Sequence, residues 1–449
     1  MTTDRVLMNM GIEQVICADD AIRVLTPGAD VALARDGVFR ANQRIGAERR
    51  LLSLKLDPHL APWRVAEKTP FRCVLSGNGL TITVQGDSVL IFAPQQNLRL
   101  AFQGYFQPEY CQEVRGNRLL LDALGGCGFF GIPPRPTELL GDDIPWNLQC
   151  HLARWDELWV SVCPPRAPDR ERGFQSISHD IMYELVSDKE LRERYPSSES
   201  IRETARHCQI LTLHEEIWKD APDWVDDPPG GGYEHPKPWE TDRHDPYDPE
   251  EFAGMRDEAH QAGMKVVPYC SPLYCNAPDL YAEMERVLEE YQMDGLYFDG
   301  WAGYRDDFRP AYHMIRRARQ ILGDRIMYLH SSSEPFNSVE VYPPFVFAYA
   351  DFCLRGEADR GALELEPFLR YAVSGHQVSN TVGMWCHYGS MGLEGYHFVV
   401  PTSEDIEAAL RNNVRIWRQS RMWSRFPDEL ARFDREYYGG LARLREEAP

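Results

Sequence analysis

The chain lacks any apolar run of the ~18–20 residues that a membrane-crossing helix needs. Its N-terminus, MTTDRVLMNMGIEQVICADD, lacks the basic stretch and apolar core of a secretory leader. Positive charge is scarce: 48 Lys and Arg stand against 69 Asp and Glu, a formal net charge of -21. A field of that sign repels phosphate backbones, which argues against a nucleic-acid partner and fits neutral or cationic ligands. There is no CxxC pair. The eleven cysteines are scattered, mostly inside apolar runs, and Cys270 and Cys275 in YCSPLYC are too isolated for a zinc half-site. They read as reduced thiols of a cytoplasmic protein. The alternating strand–helix region carries no GxGxxG after an early strand, so a nucleotide is not expected. A GxSxG elbow, an HExxH zinc helix and a DxDxDG calcium loop are also missing, and no internal repeat is visible.

What is present is a long and otherwise ordinary globular composition. The 449 residues are 43% hydrophobic and 26% charged, which suggests two domains or a barrel with an appendage. Aromatics reach 11%, and many fall in loop-like stretches: Trp218, Trp224, Tyr233, Trp239, Tyr247, Trp301, Tyr304 and Trp385. Any one of them serves as well for packing. Several beside acidic residues suit the apolar faces of sugar rings.

Residues 1 to about 170 read as all-β. Short runs such as LTITVQ alternate with period two and end in turn residues such as SGNG and PGAD, the pattern of an antiparallel sandwich. PPRAPDRERG, Pro164 to Gly173, is a proline- and charge-rich linker candidate. The pattern then changes. QSISHDIMY, CQILTLHEE, KVVPYC, DGLYFDG, IMYLHSS, FVFAYADFCL and QVSNTVGMWC read as strands. Between them lie the helices SSESIRETARHC, DPEEFAGMRDEAHQAGM, PDLYAEMERVLEEYQM and FRPAYHMIRRARQIL. HFVV is a weak eighth strand, and SEDIEAALRNNVRIWRQSRMW reads as one late helix. Strand–helix alternation with short connections marks a parallel sheet. The expected fold is α/β, a (β/α)8 TIM-type barrel over 171–449 preceded by an N-terminal antiparallel β-sandwich over 1–170; a doubly wound sheet is the alternative.

In such a barrel the chemistry gathers where strands end. Asp299 closes DGLYFDG, where rigid strand gives way to glycine, and is the expected nucleophile of glycoside chemistry. That chemistry needs one ionised carboxylate and one protonated carboxyl. Glu357 in ADFCLRGE is the favoured acid, with Glu334 in LHSSSEP second and Glu215 or Asp180 behind them. A capping role for Asp299 competes closely. Asp180, His214, Glu215, Tyr269, Trp301, His330, Arg355, Trp385, His387 and Trp239 are the expected substrate-binding residues. His214–Glu215–Glu216 invites a metal, but strand alternation would send His214 and Glu216 to one face and Glu215 to the other, so sugar hydroxyls or a supporting ion pair are expected instead. His330 reads first as a satisfied core histidine and Arg355 as an ion-pair partner. No metal and no cofactor are expected. The acidic loops DWVDDPPGGGYE and DRHDPYDPEE read as solvated, or as a flap over the substrate.

The stretch from about Lys265 to Glu357, with DGLYFDG, MIRRARQIL, IMYLHSS and YADFCLRGE in that order, resembles poorly characterised bacterial TIM-barrel glycoside hydrolases. These are distantly similar to the α-galactosidase and endo-α-N-acetylgalactosaminidase superfamily, whose members often carry an N-terminal β-sandwich. The resemblance implies Asp299 as the fourth-strand nucleophile of a retaining α-glycosidase and Glu334 or Glu357 as acid/base. The chain departs from the α-galactosidases at Tyr297, which occupies the position of their lysine, and in ending soon after the barrel.

The expectation is therefore a cytoplasmic glycoside hydrolase that cleaves a terminal bond of a small oligosaccharide or glycoside. No nucleic acid or membrane partner is expected, and homo-oligomerisation is left open. A non-catalytic sugar-binding barrel and a carbohydrate lyase using Tyr297, His330 or His387 as base are the alternatives.

Overall fold

LTITVQ folds as the strand Leu80–Gln85 with every second residue buried, as a sheet with one covered face requires. The computed structural model describes residues 10–141, 143–180, 195–219, 243–272, 275, 277–299, 307–331, 343–355, 364–385 and 400–447. Among them the N-terminal part forms two antiparallel sheets of eight strands each. The first runs in the spatial order Gln14–Cys17, Ala21–Leu25, Ala29–Ala34, Val38–Gln43, Arg49–Lys55, Leu98–Gly104, Trp146–Leu152, Thr137–Leu140. The second runs Tyr110–Val114, Asn117–Asp122, Gly125–Ile132, Glu157–Cys163, Val89–Pro94, Leu80–Gln85, Arg72–Ser76, Arg64–Lys68. Their apolar faces share one core, in which Phe39, Phe92, Phe102 and Phe129 meet edge to face at 5.3–5.6 Å. Gly104 stands opposite Trp146 in the ladder. A Cβ there would come within 1.9 Å of the indole, so only glycine lets that ring lie across the strand.

Alternation fails in the second sheet, and packing explains why. Asn117–Asp122 and Gly125–Ile132 are buried along their whole lengths, because the face turned away from the first sheet is covered by the α/β region. Phe130 and Trp159 reach out from that face to Phe308, Tyr312 and Phe345. Asp87, in the turn before Val89–Pro94, accepts hydrogen bonds from the hydroxyls of Tyr312 and Tyr349, each at 2.7 Å. Burial pushes the Asp87 carboxyl above its usual range, while Arg316 and the two hydroxyls pull the other way. The expected linker is not loose. Arg166 is buried and donates to the carbonyls of Ala348 and Ala350 at 2.7 Å each, and its own carbonyl accepts from Asn380.

The second region alternates as the spacing predicts. Parallel strands occupy Ile177–Asp180, Ile210–Leu213, Lys265–Pro268, Gly295–Phe298, Ile326–Ser331, Phe352–Arg355, Val382–Trp385 and Val414–Ile416. Helices between them start at capping residues: Ser197 accepts from the Ser200 N–H, Asp248 from Glu250 and Glu251, and Asp279 from Tyr281 and Ala282. Gly263, at φ +81°, follows the helix Pro249–Gln261 as a residue free to turn left-handed. The first three strands pair as one parallel sheet and the last five as another. Two parallel bridges join the sheets at both edges. Tyr269 meets Tyr297, with the Cys270 N–H on the Tyr297 carbonyl at 2.7 Å. Ser178 meets Arg418, with the His179 N–H on the Arg418 carbonyl at 3.0 Å and the Arg418 N–H on the Ile177 carbonyl at 2.9 Å. Each parallel strand thus has a neighbour on either side.

Three expected elements change. FVFAYADFCL is not one strand: Pro344–Phe347 is helical and the strand is Phe352–Arg355. QVSNTVGMWC likewise splits into a helix, His376–Ser379, and the strand Val382–Trp385, with Asn380 at φ +53° between them. The late helix ends at Arg411, and Asn413, at φ +57°, turns the chain into the strand Val414–Ile416. That strand takes the eighth place expected of HFVV, most of which lies outside the described residues. No helix among the described residues is long and apolar enough to cross a membrane.

Candidate functional site

Eight of the thirteen expected site residues sit at the C-terminal ends of the parallel strands. Asp180 ends the first, His214 and Glu215 follow the second, Tyr269 the third and Asp299 the fourth. His330 lies near the end of the fifth, Arg355 and Trp385 end the sixth and seventh, and Ser331 is the last residue of the fifth. Glu357, Glu334, Trp301, His387 and Trp239 lie outside the described residues.

Asp299 is the most accessible of the group, its side chain 19% exposed. Its Oδ1 is 2.7 Å from Nδ1 of His330, and the same nitrogen is 2.9 Å from the Tyr297 hydroxyl. An Nδ1–H there faces two acceptors, a carboxylate and a phenolic oxygen, and the contact to the carboxylate is the stronger, charge-assisted one. Ser271 donates to the Asp299 backbone carbonyl and fixes the strand end. Tyr297 is held from both sides, its ring 4.8 Å from Tyr328 and 4.8 Å edge-on from His179. The expected core histidine is thus joined directly to the candidate nucleophile.

A second polar group stands beside it. Strand structure ends at Leu213, and Glu215–Ile217 turns as a 3-10 helix. The period-two separation expected for His214, Glu215 and Glu216 therefore does not apply, because the residues are no longer in a strand. All three are buried, and one ligand-type atom from each lies within 4.8 Å of the others. His214 Nδ1 meets Glu215 Oε2 and is 3.7 Å from Glu216 Oε2. Burial pushes the His214 imidazole down to about 3, Asp299 opposes that fall and His330 adds to it. His179 is held well below the ordinary histidine range, first by burial and then by His214 and His330. At neutral pH both imidazoles are neutral, so a ring nitrogen of each can accept as well as donate.

The remaining expected contacts are more enclosed. Asp180 is turned to Arg421, with Oδ1 2.7 Å from Nε and Oδ2 on Nη2. Its two oxygens are held in that fork rather than offered to a sugar. Arg355 is fully buried, and its guanidinium lies 4.3 Å from the Phe347 ring centre, a cation–π contact. Tyr269 and Trp385 are 3% and 4% exposed, so they wall the site from behind instead of standing in its mouth.

Trp417 and Arg421 escape the sequence reading: Trp417 follows a strand, Val414–Ile416, inside a run that reads as helix, and Arg421, in the helix Ser420–Trp423, meets Asp180 only through the fold. Trp417 packs edge-on to His179 at 4.3 Å, which makes the eighth strand end part of the same aromatic wall. The signal for it was present: Asn412–Asn413 before Val414 and Ile416 is a turn followed by β-branched residues.

No protein-family model matches the chain, and no curated protein matches it. Among solved structures it is similar to an uncharacterised protein of Listeria monocytogenes in complex with glucose, magnesium and calcium, with 11% identity, a TM-score of 0.45, and 99% of this chain on 55% of that one. It is also similar to a cycloalternan-forming enzyme of the same organism in complex with a pentasaccharide substrate, with 11% identity, a TM-score of 0.43, and 99% on 56%. A GH31 dextranase of Flavobacterium johnsoniae complexed with glucose gives 9% identity, a TM-score of 0.42, and 97% on 69%. The chain spans little more than half the length of the first two. Likenesses this distant say nothing of what the present residues do.

Proposed function

We propose that the chain is a glycoside hydrolase that cleaves a terminal glycosidic bond of a small oligosaccharide or glycoside. In this reading the eight parallel strands are a (β/α)8 barrel over 171–449, carrying a β-sandwich domain over 1–170, and the site lies at the strand ends, where such barrels place their chemistry. Asp299 is the nucleophile of a retaining mechanism, and Glu357, or else Glu334, is the acid/base. The observation that carries the reading is the seat of Asp299: a partly exposed carboxylate at the end of a buried strand, oriented by His330 at 2.7 Å. Orientation matters because a misplacement of about 1 Å can cost about a hundredfold in rate. The quoted resemblance of DGLYFDG and YADFCLRGE supports the class of reaction. The ten described cysteines are all free thiols, which supports a reducing, cytoplasmic location.

A panel of nitrophenyl glycosides tests the reading. Turnover of at least one, lost in Asp299→Asn with sugar binding retained, is the expected result; normal turnover by that variant rejects the assignment.

One observation favours a second reading. Tyr297 and Asp299 both meet Nδ1 of His330, which sets a tyrosine and a histidine, the base residues of the lyase alternative, beside the candidate carboxylate. A lyase releases an unsaturated, ultraviolet-absorbing product without taking up water. The hydrolase releases a reducing sugar.

A further inference from the structure

We propose that His214, Glu215 and Glu216 bind a divalent cation of the zinc or manganese kind.

Two consecutive glutamates are 3% and 2% exposed and lie beside an imidazole that is itself buried. Burying a carboxylate is costly unless it is hydrogen-bonded, paired or bound to a metal. Glu215 has neither of the first two compensations in full. Neither buried oxygen makes a hydrogen bond of normal geometry, Oε2 lying instead against His214 Nδ1. Among the described residues it meets no lysine or arginine, its one ionisable contact being His214. The three donors are gathered, though His214 Nδ1 and Glu215 Oε2 lie in direct contact and must part by a side-chain rotation to share an ion. Two donors on one ion at about 2.1 Å and a tetrahedral angle lie roughly 3.4 Å apart. His214 Nδ1 and Glu216 Oε2 are 3.7 Å apart, and all three donors fall within 4.8 Å.

A separate observation points the same way. His179 is fully buried with neither ring nitrogen hydrogen-bonded, and its ring centre is 5.4 Å from that of His214. A second imidazole without a partner thus stands next to the donor set. One nitrogen with two carboxylates favours zinc or manganese over calcium and magnesium, which prefer oxygen alone. The 3-10 turn after Leu213 makes the arrangement, since it brings three consecutive side chains together that a strand would have separated.

The inference does not depend on the hydrolase reading, because its test reads binding and not turnover. The full chain, stripped with a chelator and dialysed, is titrated calorimetrically with zinc and with manganese, and separately with calcium and magnesium. The expected result is one equivalent of zinc or manganese bound, with a rise in thermal midpoint, and calcium and magnesium at least ~10-fold weaker. Glu215→Gln and His214→Ala, checked by circular dichroism for folding, are each expected to weaken binding by ~10-fold or more. If either variant fails to fold, the wild-type titration decides alone. No binding by the wild-type chain, affinity unchanged in folded variants, or equal affinity for all four ions overturns the proposal.

Discussion

His330→Ala removes the side chain that orients Asp299 and leaves the carboxylate in place. The lost contact is a single hydrogen bond at 2.7 Å to a carboxylate that is 19% exposed. Hydrogen bonds to charged groups contribute about 1.5–3 kcal/mol. At about 1.36 kcal/mol per tenfold, removing it should lower kcat by about 10- to 150-fold. In the proposed mechanism this interaction orients the reacting carboxylate, so most of the loss should fall on kcat and little on KM. Tyr297→Phe is the graded control. It removes a neutral hydroxyl 2.9 Å from the same nitrogen, worth about 0.5–1.5 kcal/mol, and should cost about 2- to 13-fold. Steady-state kinetics on the best nitrophenyl glycoside measures both. A His330→Ala enzyme with wild-type kcat, or one that loses activity only through KM, would refute the idea that the imidazole positions the nucleophile.

Other expectations are simpler to state. Asp299→Asn should lower kcat by on the order of 10⁴–10⁶, as loss of a covalent nucleophile does, with binding of the free sugar unchanged by calorimetry. Glu357→Gln should slow glycosides with poor leaving groups far more than activated ones; equal losses would move the acid to Glu334. Asp87 carries a carboxyl raised by burial, so its contribution to stability is present below the unfolded value of about 3.9 and is lost as pH rises through the folded one. Asp87→Asn lacks that loss. Its stability relative to wild type, from urea unfolding, should therefore improve between pH 4 and pH 7 by about 1.4 kcal/mol for each unit by which the carboxyl is raised; a pH-independent difference contradicts the assignment. Trp159→Ala removes a 3% exposed ring packed on Tyr312 and Phe345 and should destabilise by about 3–5 kcal/mol, seen as a lower urea midpoint.

The legible parts of the sequence were those in which local chemistry and tertiary packing agree. Asp248 and Asp279 cap helices with their own side chains, and LTITVQ keeps its period because one face of its sheet meets the other sheet. Legibility failed where packing overrides the local pattern. NRLLLD loses its alternation because the α/β region covers its second face. VRI is hidden inside a helical-looking run and is separated only by the left-handed turn at Asn413.

The site divides in the same way. Strand-end position picked out Asp299, His330 and His214. The pairing of Asp299 with His330 joins residues 31 apart, and neither one's local pattern encodes it. The gathering of His214, Glu215 and Glu216 depends on a strand ending one residue before the motif, a boundary that apolar periodicity alone does not fix. Asp180 reads as open to substrate because its partner Arg421 is 241 residues away and no local pattern joins the two.

The most direct measurement is covalent trapping. Incubating the enzyme with a fluorinated, slowly released aryl glycoside and sequencing the labelled peptide by mass spectrometry should place the sugar on Asp299, within DGLYFDG. A label on any other carboxylate, or an inverted product from an enzyme that never labels, would contradict it.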